Sequence, residues 1–217
     1  MSGLFITFEG TEGSGKSTQV LLLAQRLQDL GSSVRQLREP GGTPIGEEIR
    51  QTLKHSQQNR AMTAEAELLL MNASRAQLVR EIIRPALALQ ETILCDRFHD
   101  STIAYQGYGR GLDLGMVQTV VNFAIGETIP QLTFLLMISP EESEARRRNR
   151  ELMIARQRDR FEEADRGFFQ RVEMGYRAIA TAAPERVKLI DGTQGIVEVS
   201  AEIWRQVEPL LHRKSNP

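Results

Sequence analysis

The chain has 217 residues, of which 41% are hydrophobic, with 27 lysines and arginines against 28 aspartates and glutamates. This length and composition are typical of one globular domain that needs neither a disulfide nor a structural metal to hold its core. The formal net charge of -1 argues against a broad nucleic-acid-binding surface, which would show a basic excess.

Other features narrow the class of protein further. No uninterrupted apolar run approaches the roughly 18 residues of a membrane span, and Met1-Ser2-Gly3 leads into a strand-like run without a signal-peptide pattern. We therefore expect a cytoplasmic protein with no membrane partner. The single cysteine, Cys95, lies in an apolar run and is predicted to be buried. The three histidines are too scattered to form a zinc site.

Short apolar runs alternate with longer helical patterns along the chain, which predicts an α/β fold with a parallel sheet between helices. Five strands are predicted, at 4–8, 33–37, 92–95, 132–138 and 187–190. Helices are predicted at 17–30, 44–53, 63–89, 114–125, 140–150, 162–182 and 196–211. Pro85 is expected to bend the third helix or to start a new turn. No repeat or linker interrupts the pattern, so we expect a single domain over 1–217.

A phosphate-binding motif follows the first predicted strand. The residues Gly10-Thr11-Glu12-Gly13-Ser14-Gly15-Lys16-Ser17 match G-x-x-x-x-G-K-[ST] and lead into a helix, as this motif requires. Glycines allow successive backbone N–H groups to converge on phosphate oxygens, and the helix start adds its positive dipole end. Lys16 is expected to contact the transferred phosphate, and Ser17 to ligate Mg²⁺. The predicted nucleotide-binding residues are those eight and Thr18.

The third predicted strand indicates which kind of P-loop protein this is. The sequence contains neither the N-K-x-D motif nor the D-x-x-G motif of GTPases. Asp96 ends the strand as a metal-associated carboxylate would, but Arg97 follows at once. A cation beside that carboxylate favours a second bound anion, such as the phosphate of an acceptor, and therefore a phosphotransferase.

Several strings together resemble the thymidylate kinase family, from about residue 3 to the last helix. They are Phe8-Glu9-Gly10-Thr11-Glu12-Gly13, Arg38-Glu39-Pro40-Gly41-Gly42-Thr43, Asp96-Arg97-Phe98, Ala104-Tyr105-Gln106-Gly107, Gly109-Arg110-Gly111 and Asp159-Arg160-Phe161-Glu162. The resemblance implies the nucleoside monophosphate kinase fold, with a five-stranded parallel sheet, a mobile lid and a homodimer. It also implies transfer of the γ-phosphoryl group from MgATP to dTMP.

The resemblance assigns roles on the phosphate side of the acceptor. Arg97 corresponds to the clamp on the dTMP phosphate, a task that suits the fork of guanidinium donors. Asp96 corresponds to part of the magnesium network. Arg50 resembles a second arginine reaching that phosphate, although a solvated helix-face position is an alternative. Glu12 corresponds to an acid near the dTMP sugar or phosphate, and Glu39 and Pro40 are expected to line the acceptor site.

Other matched positions belong to the base and sugar. Arg75 resembles the arginine that reads the thymine edge, with Thr102 and Gln106 as hydrogen-bonding companions. Tyr105 resembles the aromatic residue that crowds the 2′ position, and core packing is its alternative reading. Met71 stands where family members commonly stack an aromatic residue on thymine, so the stacking arrangement departs from the family pattern. Phe98 is a candidate substitute for that missing ring.

An arginine-rich stretch carries the last prediction. Seven arginines crowd residues 146–160, and they fit either a lid over ATP, at approximately 147–161, or a solvated helix face or nucleic-acid patch. Some members of the resembled family place a catalytic arginine inside the P-loop. This P-loop contains none, so a cation for the transition state is expected from elsewhere. Arg156 and Arg160 are the first candidates, with Arg150 next.

Two rival functions remain open from sequence alone. One is another nucleoside monophosphate or deoxynucleoside kinase. The other, from a different class, is a P-loop nucleotide-binding protein without catalysis.

Overall fold

The computed structural model describes residues 3–56, 58–154 and 165–215, with the backbone alone at 60, 150–154 and 212–215. Its centre is a sheet of five parallel strands in the order β2-β3-β1-β4-β5. The strands are β1 (Phe5–Glu9), β2 (Val34–Arg38), β3 (Thr92–Asp96), β4 (Leu132–Met137) and β5 (Val187–Asp191). The α/β class and the five strands are therefore confirmed.

Helices connect consecutive strands within the described ranges. They are α1 (Lys16–Asp29), α2 (Pro44–His55), α3 (Ala64–Leu78), α4 (Arg84–Ala88), α5 (His99–Thr102), α6 (Leu114–Ile125), α7 (Pro140–Ile154), α8 (Arg166–Ala182) and α9 (Ile196–Ser215). Side-chain caps fix several starts, because Thr43, Thr63, Asp113 and Asp165 each accept a hydrogen bond from a first-turn backbone N–H.

Two stretches differ in detail from the sequence pattern. The predicted helix at 63–89 is divided into α3, a π-helical segment at Val79–Ile83 and α4. Pro85 lies in the first turn of α4, where its missing N–H is tolerated. A helical segment that the sequence did not predict, α5 continued by a π-helix at Ile103–Gly109, follows β3. Its glycines and β-branched residues are weak helix formers, so tertiary packing decides its conformation.

The core has a layer on each face of the sheet. In β1, Ile6 and Phe8 pack with residues of α1 and α9, whereas Phe5 packs on the opposite face with residues of α3 and α6. This alternation follows from the two-residue period of a strand. Cys95 is fully buried beside Phe5, as predicted. Residues of α8 and of the π-helix at Ile103–Gly109 form a third apolar cluster.

The carboxyl ends of β1, β2 and β3 meet at one edge of the sheet. The Arg97 backbone N–H donates to the Phe8 carbonyl at 2.9 Å, and the Glu39 N–H donates to the Asp96 carbonyl at 3.0 Å. Ligands of open α/β sheets bind outside this edge. The P-loop, the Asp96–Arg97 pair and the turn that begins at Glu39 are thereby brought together.

Candidate active site

The P-loop lies between β1 and α1, and its shape depends on close backbone packing. A Cβ atom on Gly10 would lie 2.3 Å from the Leu136 carbonyl oxygen, and its φ of +133° is one that other residues rarely adopt. Gly15 precedes α1 in a left-handed conformation. The N-terminal N–H groups of α1 therefore face the loop, as an anion-binding site requires.

Lys16 lies under the loop with its ammonium group against the loop backbone. Its Nζ donates to the carbonyl oxygens of Thr11 at 2.8 Å and Gly10 at 3.1 Å. Burial, followed by the charge of Arg97, lowers the Lys16 pKa to about 8, and nearby carboxylates oppose that shift. The ammonium form still predominates at neutral pH, so Lys16 carries a charge for phosphate binding.

Ser17 and Asp96, the two candidate magnesium ligands, are in direct contact. The Ser17 hydroxyl donates to Asp96 Oδ2 at 2.5 Å, across the gap between α1 and the end of β3. A hydroxyl and a carboxylate are the hard oxygen donors that Mg²⁺ prefers, and Mg²⁺ keeps waters for its other positions. The pair therefore fits this ion. No cluster of three or more acidic, histidine or cysteine ligands occurs within the described ranges.

Both the backbone and the side chain of Arg97 are constrained. Its φ is 71°, in the left-handed region that costs a non-glycine residue of order 1–3 kcal/mol. This backbone turn directs the guanidinium across the P-loop, where Nη1 donates to the Gly10 carbonyl at 2.9 Å and Nη2 to Glu12 Oε1 at 2.9 Å. The hydroxyl groups of Ser101, Tyr105 and Tyr176 accept longer hydrogen bonds from it.

Glu12 is held as an anion by the cations around it. Burial opposes ionisation, but the charges of Arg97, Lys16 and Lys54 outweigh it and lower the Glu12 pKa well below its usual range. A carboxylate at this place balances the positive charge of the site. It can also accept a hydrogen bond from a substrate hydroxyl.

Two adjoining cavities meet at Arg97. The first, the P-loop cavity, is lined by Glu12, Gly13, Gly15, Lys16, Ser17 and Thr18 together with Arg38, Arg50, Asp96 and Arg146. The second, the base-side cavity, is lined by Pro40, Met71, Arg75, Ser101, Thr102, Tyr105 and Gln106. Glu12, Glu39, Lys54 and Arg97 line both cavities. Two ligands bound in these cavities would therefore meet between Glu12 and Arg97.

Arg75 is fully buried, and its hydrogen bonds are made with the protein. Nε donates to Glu39 Oε2 at 2.8 Å, and the terminal nitrogens donate to Asn72, Thr102 and the Phe98 carbonyl within 3.1 Å. Glu39 Oε1 is buried without a hydrogen-bond partner among the described residues. Burial raises the Glu39 pKa, and the Arg75 charge opposes that effect. A base in this cavity would meet a rigid polar wall.

The other predicted substrate residues divide into lining and packing positions. Met71 lines the base-side cavity and packs on the cluster that contains Tyr105. Phe98 is fully buried, with its ring 5.0 Å from that of Phe5, and does not line the cavity. Arg50 lines the P-loop cavity, and its Nη1 donates to the Pro40 carbonyl at 2.8 Å. Met71 therefore lines the base-side cavity, whereas Phe98, the candidate substitute for the missing ring, does not.

Glu9 is a buried residue whose part in the site the sequence did not reveal. Its carboxylate accepts hydrogen bonds from the Phe98 N–H at 2.8 Å, the Ser101 hydroxyl at 2.5 Å and the Tyr176 hydroxyl at 3.0 Å. Burial and the charge of Asp100 raise the Glu9 pKa to about 7, and Arg97 opposes them. A charge at the end of a buried strand was the available signal for this role.

Two further residues line the site: Lys54, which the sequence analysis missed, and Arg146, which it counted only within the arginine-rich stretch. Lys54 lies one turn after Arg50 on α2, and this four-residue spacing was a usable signal. Arg146 of α7 donates to the carbonyl oxygens of Gly13 at 3.2 Å and Gly192 at 3.0 Å. It therefore ties α7 and the loop after β5 to the P-loop.

The candidate lid is described only as far as residue 154, so Arg156 and Arg160 lie outside the described residues, and so does the side chain of Arg150. The described part of the stretch begins on α7. Arg147 is buried, pairs with Glu144 at 2.6 Å and lies over the Phe169 ring at 4.8 Å. Arg148 is exposed and pairs with the same glutamate. Arg146 is the described arginine of this stretch that lines the P-loop cavity.

Fold and site together define a P-loop nucleoside monophosphate kinase. A family model described as thymidylate kinase matches residues 8–203. The chain belongs to the thymidylate kinase family, whose members are ATP-dependent kinases of nucleoside monophosphates.

Full-length relatives and a solved structure agree with this assignment. The chain is 45% identical to a thymidylate kinase of Synechococcus sp. (strain JA-3-3Ab), over 96% of this chain and 97% of the relative. It is 48% identical to one of Geotalea uraniireducens, over 94% and 96%. A crystal structure of thymidylate kinase from Ehrlichia chaffeensis superposes with a TM-score of 0.75, at 32% identity, covering 95% of this chain and 99% of that one.

Proposed function

We propose that this chain transfers the γ-phosphoryl group of ATP to the phosphate of dTMP, giving dTDP and ADP on the route to dTTP. The observation that supports this most strongly is the junction of the two cavities at Glu12 and Arg97. Family membership supports the pair of substrates. In-line transfer needs donor and acceptor held end to end with their charges neutralised, which this junction provides.

The cations of the site have complementary roles in this proposal. Lys16 and the N-terminal N–H groups of α1 bind the ATP phosphates, and Arg97 clamps the dTMP phosphate. Arg50 and Lys54 add positive charge where both phosphates approach. Glu12 pairs with Arg97 and keeps its guanidinium across the loop. Catalysis then comes from positioning and charge stabilisation rather than from a strong base.

Mg²⁺ would be held by Ser17 directly and by Asp96, directly or through water. When bound, the ion neutralises charge on the donor phosphates. Both residues line the P-loop cavity, and the hydrogen bond between the Ser17 hydroxyl and Asp96 Oδ2 supports a shared role.

The base-side residues read thymine and the deoxyribose in this proposal. Arg75, Thr102 and Gln106 provide the polar wall, and Tyr105 excludes a 2′-hydroxyl. Met71 covers one face of the base by dispersion and sulfur–aromatic contact.

The lid at approximately 147–161 is proposed to close over ATP and to supply Arg156 or Arg160 to the transferring phosphoryl group. The contacts of Ser143 and Arg146 with the P-loop support a lid that starts from α7. An arginine of this kind contributes on the order of 10³-fold or more to the rate.

A homodimer is also proposed, together with a cytoplasmic location. Met116, Val120 and Phe123 form a stripe on α6, and the Phe123 side chain is 82% exposed. Leu69 is exposed on the neighbouring helix α3. A second copy of this chain would cover this apolar face. None of the described helices is long and apolar enough to cross a membrane.

The decisive experiment measures ADP release from MgATP with dTMP, dUMP, dCMP, thymidine or no acceptor. We expect dTMP to give the fastest release, and Arg97→Ala to lose most of it, about 10²-fold or more. Arg177→Ala is the matched control, because Arg177 is an exposed arginine on α8 whose ion pair among the described residues is with Glu173.

Other outcomes separate the rivals. Faster turnover of dCMP or thymidine would assign the chain to another kinase. Nucleotide binding without turnover of any acceptor would leave a binding protein. Salt-sensitive affinity for DNA or RNA without kinase activity would support a nucleic-acid patch in the arginine stretch.

A further inference from the structure

A buried glutamate lies behind the base-side cavity. Glu67 of α3 has no exposed side-chain surface, and Gln106 Nε2 donates to its Oε1 at 2.8 Å. Arg110 grips the same carboxylate, with Nε 3.1 Å from Oε1 and Nη2 2.9 Å from Oε2. Glu67 does not line the cavity itself, whereas Gln106 does. The glutamate is therefore one residue removed from any ligand bound there.

The chemistry of this contact fixes the orientation of the Gln106 amide. An ionised carboxylate only accepts hydrogen bonds, and the Arg110 guanidinium compensates its charge. Gln106 can therefore face Glu67 only with its NH₂ group. The reversed amide would bring its carbonyl oxygen to about 2.8 Å from a carboxylate oxygen, which is repulsive. The Glu67 contact is the one hydrogen bond of the Gln106 side chain among the described residues.

We propose that Glu67, anchored by Arg110, is a positioning residue that sets the specificity of the base-side cavity. By holding the NH₂ group of Gln106, it presents the amide carbonyl oxygen to the base. That oxygen accepts the N3–H of thymine or uracil, whereas the bare N3 of cytosine would face it lone pair to lone pair. This inference rests on the proposed function, because it assumes a pyrimidine in the cavity.

A site that presents a fixed hydrogen-bond acceptor strongly rejects a base that lacks the matching donor, since an unpaired buried polar group costs free energy. The alternative role for Glu67 is purely structural, tying α3 to the π-helix at Ile103–Gly109. A structural tie would affect all substrates equally. A change of selectivity between bases distinguishes the two roles.

The test compares kcat/KM for dTMP, dUMP and dCMP in the natural chain and in Glu67→Gln. The amide introduced at position 67 offers either an acceptor or a donor, so the Gln106 amide is no longer forced into one orientation. We expect the dTMP-to-dCMP ratio to fall by about tenfold or more. The dTMP-to-dUMP ratio and the KM for ATP should stay unchanged, since both bases carry an N3–H and ATP binds elsewhere.

The double variant Glu67→Gln/Gln106→Glu provides a rescue. A carboxylate at position 106 accepts from the NH₂ group of the amide at position 67 and still presents an acceptor to the base. The ratio should therefore return toward that of the natural chain. Glu65→Gln, at an exposed position on the same helix, is the matched control. If Glu67→Gln does not fold, Glu67→Asp keeps the charge toward Arg110 and withdraws the acceptor from Gln106, and the same fall is expected.

The inference is overturned if a folded variant keeps the dTMP-to-dCMP ratio within about twofold of the natural chain. Equal losses for all three acceptors would assign Glu67 the structural role. A natural chain that does not use dTMP at all would instead contradict the proposed function. The two failures are therefore distinguishable.

Discussion

The two cavities that meet at Arg97 are built on different principles. On the P-loop side, the cavity is lined by the P-loop, which is one continuous stretch of the chain, and by cations that other segments contribute. On the base side, buried side chains from α3, α5 and the following π-helix bond to one another, as Arg75 does with Asn72 and Thr102. The P-loop cavity therefore recognises charge, and the base-side cavity recognises a pattern of hydrogen-bond donors and acceptors.

This difference teaches where each kind of substitution should act. Removing a charged side chain from the P-loop cavity should lower ligand binding and the reaction rate in proportion to the charge removed. The fold should survive, because these side chains border a cavity. The buried hydrogen bonds of the base-side cavity stabilise the fold as well as the bound ligand, since each lost partner leaves a buried polar group unsatisfied.

The largest expected effect is on the P-loop side. Lys16→Met removes the ammonium group and keeps a side chain of similar length, so phosphoryl transfer should fall about 10²–10³-fold. The free energy of unfolding should change little, because the substitution also removes a buried ammonium whose charged form burial disfavours, which offsets the lost hydrogen bonds. Steady-state kinetics with urea unfolding checks both statements. A variant that lost as much stability as activity would break the comparison between the two cavities.

In the base-side cavity, a substitution should lower the stability of the fold as well as substrate binding. Arg75→Lys keeps the charge beside Glu39 but cannot reproduce five directed donors, so Asn72, Thr102 or the Phe98 carbonyl loses a partner. We expect the free energy of unfolding to fall by about 2–4 kcal/mol, with a raised KM for dTMP and a nearly unchanged KM for ATP. Arg97→Lys is the control, because Arg97 borders both cavities. The same substitution should therefore destabilise the fold less at position 97 than at position 75. Equal destabilisation by both variants would contradict the proposed division.

A smaller effect is expected at the buried residue Glu9, on the pH dependence of stability. Its pKa of about 7 in the folded chain exceeds its usual value of 4.5, so the folded state retains a proton that the unfolded state releases. The associated stability is present below about pH 4.5 and is lost as the pH rises through about 7. Glu9→Gln should lack this loss, so its free energy of unfolding should rise relative to that of the natural chain between about pH 5 and about pH 8. Parallel urea-unfolding curves at all pH values would show that Glu9 does not titrate in this range.

The same contrast explains what the sequence could predict. The P-loop, Lys16, Ser17 and Asp96 follow from a contiguous motif and a strand end, because backbone cradles need a fixed order of residues. The base-side residues came only through the family resemblance, since their contacts join segments far apart in the chain. Glu67 and Arg110 lie 43 positions apart, and Glu9 and Tyr176 lie 167 apart. No local pattern marks such pairs, and the roles of Arg156 and Arg160 stay predictions.

The contact between Gly13 and α7 also limits how this enzyme could acquire the arginine that some family members carry inside the P-loop. A Cβ atom on Gly13 would lie 3.2 Å from the Cβ of Arg146 and 3.4 Å from the Ser143 carbonyl oxygen, at a φ of +77°. The space beside that glycine is thus already filled by the helix that leads toward the arginine-rich stretch. An arginine at this position would have to displace Arg146 by a few tenths of an ångström and adopt a strained backbone, so a single substitution would convert one arrangement into the other only at a cost in stability.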